Sequence, residues 1–128
     1  MQHEDSPQMS PHVANLLRTA GLLLLSNAFM TAAWYGHLRF RSAPLWLAIL
    51  GSWLIALPEY ALQVPANRWG YAHPDAALSA TELKILQECI TIAVFLAFAW
   101  FWLGEAPSLR QMGSFALIIG AVALAFWK

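Results

Sequence analysis

Four long apolar stretches alternate with short joints rich in proline, glycine and charge. The first charge-free run covers residues 19–38, with Arg18 before it and Arg39 and Arg41 after it. Pro44 restarts the chain, and a second apolar stretch runs from Leu45 to about Val64, with Pro58 and Glu59 inside it. Pro58 should bend that helix, because a proline ring removes one backbone donor and crowds the preceding turn. Pro65 is expected to close it, and residues 66–78, with Asn67, Arg68, Gly70, His73, Pro74 and Asp75, have loop chemistry. Ser79 followed by Glu82 has the spacing of a capping box and opens a third helix, which Gly104 and Pro107 end. Ser108 and Gln111 repeat that spacing and open a fourth helix that runs to Trp127.

Each run is long enough to cross a hydrocarbon layer of about 30 Å, which takes about 20 helical residues. Backbone groups in lipid must be satisfied within the segment, so helices at about 14–38, 45–64, 80–103 and 109–127 are expected. The fold class is all-α, a bundle of four transmembrane helices over residues 13–128. Residues 1–12 form a polar tail, expected to be disordered. With Glu4 and Asp5 in place of a basic segment, the tail does not resemble a signal peptide.

Composition agrees with the bilayer as solvent. Hydrophobic residues make up 59% of the chain, and seven acidic with seven basic side chains cannot coat a soluble core. The formal net charge is zero, which sets nucleic acid aside as a partner. Cys89, the only cysteine, excludes an intrachain disulfide and lies in an apolar run where it packs as a small hydrophobe. His37 and His73 fall at an interface and in a loop, without the spacing of a metal site, and no serine has a plausible base. No cofactor is called for, and an enzyme is not expected.

The informative positions are polar residues where lipid should be. Asn27 and Thr31 share one helical face; Ser52, Glu59 and Gln63 share another; Lys84, Glu88 and Thr91 a third. Three such stripes imply a polar interior. With helix two ending near Val64, Glu59 would sit roughly 8 Å from one membrane side and Glu88 roughly 12 Å from the same side, at 1.5 Å per residue. Two carboxylates at that range cannot easily both ionise, so the pair could exchange a proton with cargo. Against this stands an ordinary structural role: Glu88 can pair with Lys84 one turn earlier, Glu59 can pair with Arg68 or reach the interface, and Asn27 can bond between helices. In the fourth helix Gly113 and Gly120, seven apart with Ala116 and Ala123 nearby, form a spine of small residues. That spine suits close helix packing, within the monomer or in a dimer.

The stretch FWLGEAPSLRQMGSFALIIGAVAL, residues 101–124, resembles the terminal helix pair of the drug/metabolite transporter superfamily, with Gly104, Glu105, Gly113 and Gly120 in the turn and the following helix. AWYGHL, PEYALQVPANR, ELKILQE and the LGE turn extend the likeness, over about Leu16 to Trp127, to a family of small uncharacterised four-helix bacterial membrane proteins within that superfamily. The resemblance implies relation to the small multidrug resistance proteins, which use a membrane-embedded Glu in helix one as proton and cation site. The corresponding position here is Asn27, so Glu59 or Glu88 would have to take that role.

These readings combine into an expected small-molecule transporter, multi-pass in a bacterial inner membrane, working by alternating access and possible proton coupling. Glu59, Glu88, Asn27 and Gln63 are its candidate binding residues. The other reading is a non-transporting membrane protein that binds or stabilises a partner in the bilayer. Expected partners are the lipid bilayer, an unidentified small molecule and further copies of the chain. Basic residues hardly set the orientation: Arg18, Arg68, Lys84 and Lys128 fall on one side, Arg39, Arg41 and Arg110 on the other. The resemblance makes an antiparallel dimer plausible, with Gly113 and Gly120 in its interface.

Overall fold

A computed structural model describes residues 8–74 and 76–127. Helix α1 spans Pro11–Tyr35 and tightens into a 3-10 turn, Gly36–Arg39; α2 spans Leu45–Tyr71; α3 spans Ala80–Phe98 and widens into a π-helical turn, Ala99–Leu103; α4 spans Leu109–Phe126. All four are long and apolar enough to cross a membrane. Their outer faces carry exposed Trp53, Leu57, Leu117 and Ile119, side chains that suit lipid rather than water.

Local chemistry sets most helix ends. Ser10 caps α1, its hydroxyl accepting from the Val13 N–H, and Pro11 follows at the first helical position, where its missing donor is no loss. That start lies inside the stretch expected to be a disordered tail; residues 1–7 of that tail lie outside the described residues. The Ser79 hydroxyl accepts from the Glu82 N–H at 3.0 Å. Ser108 and Gln111 form a reciprocal capping box, with bonds of 3.2 Å and 2.9 Å. Gly104, at φ 69°, ends the π turn in the left-handed conformation that glycine adopts most easily.

Helix α2 departs from expectation. It runs on through Pro65 to Tyr71, so Asn67, Arg68 and Gly70 are helical and the connection to α3 is short. The cost of Pro65 is met by contacts beyond it. Gly70 lets α2 approach so closely that a Cβ there would lie 3.0 Å from Thr19 Oγ1 and 3.2 Å from Leu83 Cδ2. Asn67 Oδ1 accepts from Gln87 Nε2 at 2.8 Å, which ties the same two turns to α3. In lipid, unwinding these turns would also strip their backbone of partners.

The packing is centred on α1, which lies against both α2 and α3. Its buried residues are Asn15, Thr19, Leu23, Ser26, Asn27, Thr31 and Ala33. At the level of the backbone α4 packs on α3 alone, and none of its residues is buried.

Candidate functional site

The polar interior is a stripe of α1 facing its neighbours. Asn15, Thr19, Leu23 and Ser26 recur at intervals of three and four, the period that keeps one side of a helix inward. At the end of the bundle where α1 begins, Asn15 Nδ2 donates to the carbonyls of Gly70 at 3.3 Å and Ala76 at 2.9 Å. The Leu78 N–H joins the same Gly70 carbonyl at 2.9 Å. Asn15 therefore gathers the end of α2 and its connection to α3 onto α1.

Deeper along α1, Ser26 meets Glu59. Its hydroxyl lies 3.3 Å from both the backbone carbonyl and Oε1 of Glu59, and 3.4 Å from Gln63 Oε1. One hydroxyl has one proton to donate, so these acceptors share it. Glu59 is 5% exposed. It borders a cavity of about 130 Å³ with Met30, Trp34, Tyr60 and Gln63. No ion pair reaches it among the described residues. The continuation of α2 also changes its depth. Glu59 lies fourteen residues after Leu45 and twelve before Tyr71, beside Pro58 at the midpoint of the helix. That is about 18 Å from the nearer end rather than about 8 Å.

Glu88 has a different setting. It forms an ion pair with Lys84 one turn earlier, and the two side chains are 49% and 70% exposed. The two carboxylates expected to share a site thus have separate partners. The third expected stripe divides: Lys84 and Glu88 are turned outward, while Thr91 Oγ1 turns inward and donates to Asn27 Oδ1 at 2.6 Å. Asn27 Nδ2 in turn donates to the Leu23 carbonyl at 2.8 Å. With both ends of its amide engaged, Asn27 ties α3 to α1 beside the Ser26 and Glu59 contact. Gly113 and Gly120 face open space, with nothing within 4 Å of a Cβ built on either.

The residues not foreseen are Ser26, Asn15 and Thr19. Their signal was present in the sequence: with Leu23 they form one inward stripe, yet serine and threonine in apolar helices often bond only their own backbone. Among the described residues, no three His, Cys, Asp or Glu side chains lie close enough to hold a metal ion.

A family model described as "Putative member of DMT superfamily (DUF486)" matches residues 19–126, which includes every residue of the Ser26, Asn27, Glu59, Gln63 and Thr91 cluster. No curated protein matches the chain. No solved structure matches it either. Members of the drug/metabolite transporter superfamily are transporters rather than enzymes. With four helices of spanning length and a match over most of its residues, the chain belongs to the DUF486 family of that superfamily, as a multi-pass membrane protein of transporter type.

Proposed function

We propose that the protein carries a small molecule across a bacterial inner membrane by alternating access, with Glu59 as its proton- or cation-binding group. The observation that carries this reading is a buried carboxyl at the centre of α2 with no cationic side chain paired to it among the described residues. Such a group is tolerated in an apolar interior when a proton or a cargo cation neutralises it, and exchange between the two is a means of coupling. The Ser26 hydroxyl, shared with Gln63, is the side-chain contact of the carboxyl, Asn27 and Thr91 brace the helices around it, and Pro58 frees a backbone carbonyl beside it. Glu88 is an outer residue in this scheme.

The open face of α4 supports an oligomer, in which the Gly113 and Gly120 face meets a second copy. The same open face favours the second reading, a protein that binds a different partner in the bilayer without transport. Flux in vesicles of purified protein, with and without a pH gradient, separates the two. Transport predicts gradient-dependent flux of some member of a broad metabolite set, lost in Glu59→Gln. No flux from protein that is folded and correctly inserted supports the second reading.

A further inference from the structure

A separate cavity of about 660 Å³ opens at the opposite end of the molecule from Asn15, where α1 finishes, α2 begins and α3 widens into its π turn. Its wall includes Gly36, His37, Leu47, Gly51, Phe98 and Trp102 and is almost wholly hydrocarbon. That volume is of the size that encloses a drug-sized or single-chain apolar ligand, about 300–1,000 Å³.

The rim has the opposite character. Trp102 is fixed at the mouth by its Nε1–H, which donates to the Gly36 carbonyl at 3.1 Å. The Arg39 guanidinium lies over the Trp102 ring, 4.5 Å from its centroid. Stacking uses the face of a guanidinium and leaves its N–H edge free for an anion. Arg41 follows two residues later, and His37 lies in the wall. Glu105, the carboxylate of the turn after the π segment, forms no ion pair with either arginine, since the ion pair among the described residues is that of Lys84 and Glu88. An apolar chamber at helix ends, with the Arg39 guanidinium over one of its wall residues and Arg41 on the same short connection, complements a molecule with an apolar body and an anionic head.

We propose that this pocket is a binding site for an anionic membrane lipid, with an acyl chain in the chamber and the phosphate held by Arg39 and Arg41. The source is the bilayer itself: the chamber lies among the ends of spanning helices, where chains and headgroups meet, and free phosphate could not fill a hydrocarbon wall. A zwitterionic lipid presents its own ammonium to the same rim and gains less. The site is distinct from Glu59, and it stands whether or not the protein transports.

The test uses full-length protein purified in a neutral detergent and given equimolar phosphatidylglycerol and phosphatidylcholine with the same chains, the retained lipid being counted by native mass spectrometry. Retention should favour phosphatidylglycerol by about fivefold or more, the factor expected for one well-placed basic residue at an anionic surface. The double variant Arg39→Gln with Arg41→Gln should lose the preference. Gly51→Leu should lose the bound lipid, because a Cβ at Gly51 meets no atom within 4 Å and the larger side chain grows into the chamber. Ala48→Leu, in the same wall, serves if Gly51→Leu does not fold. Lys84→Gln, at the other end, should change nothing. Equal retention of the two lipids, displacement by inorganic phosphate, or a preference that survives the arginine variant would overturn the proposal.

Discussion

Thr91 donates its hydroxyl proton to the Asn27 side-chain oxygen across 2.6 Å, so that a bond between α3 and α1 lies next to the one between α1 and α2 at Ser26 and Glu59. Bonds of this kind between membrane helices contribute on average about 0.6 kcal/mol, with a maximum near about 1.7 kcal/mol. A double-mutant cycle of Asn27→Leu and Thr91→Val should return a coupling energy in that range when unfolding is followed in detergent by circular dichroism. Additive effects would mean that the two side chains do not act together.

Glu59 and Glu88 should behave differently although both are glutamates on spanning helices. Glu59→Gln should preserve folding and remove pH-dependent flux. Glu88→Gln removes only an i,i+4 pair with Lys84 on the outer face of α3, away from Ser26 and Glu59, so flux should persist. Equal loss in both variants, measured in the same vesicles, would restore the idea of a shared carboxylate pair.

Gly70 supplies a stability prediction that needs no assay of function. A Cβ there meets buried Thr19 at 3.0 Å and 3.1 Å and Leu83 at 3.2 Å, and Thr19, branched at its own Cβ, has little freedom to retreat. Gly70→Ala should therefore destabilise the protein by about 1–3 kcal/mol, the usual range for overpacking. Gly51→Ala, with free space around it, should leave the thermal midpoint unchanged or raise it. The comparison fails if both substitutions shift the midpoint alike.

Replacing Gly113 and Gly120 by leucine should spare the monomer, because nothing in it lies within 4 Å of a Cβ at either position. The oligomer is what should be lost. Cross-linking in membranes, read beside circular dichroism, distinguishes the cases: unchanged cross-linked species would show that association uses another surface.

Orientation follows from a near balance of basic residues, four near the ends on one side and three on the other. Two C-terminal fusions, one to a reporter active only in the cytoplasm and one to a reporter active only in the periplasm, should both give signal. Signal from one alone, unmoved by neutralising Arg18 or Arg110, would establish a single orientation.

The four helices and the caps of α3 and α4 were legible in the sequence because the interactions that make them are local: Ser79 with Glu82, Ser108 with Gln111, and apolar runs of spanning length; the Ser10 cap of α1 lay in the stretch expected to be a tail. The end of α2 was not. A proline is a local stop signal, and here it is outweighed by Thr19, Asn15 and Gln87, which are remote in sequence. Glu59 was legible as a charged residue out of place in lipid, but its partner Ser26 was not, since helix rotation decides which faces meet. For Glu88 two partners were available on paper, and the one a single turn away needed no rotation at all.

Gly51, Pro58 and Pro65 stand seven residues apart, so they fall along nearly one line of α2. The two prolines leave the carbonyls of Leu54 and Ala61 without their usual helical donors, and the glycine adds a point with no side chain to stiffen it. A rod weakened along one edge is compliant in one plane and rigid in the plane across it. In mechanical terms α2 behaves as a leaf spring whose direction of flexing is set by its sequence, and Glu59 sits beside the middle of the three weak points. Flexing at that middle point would shift Glu59 relative to Ser26, the side chain that contacts its carboxyl.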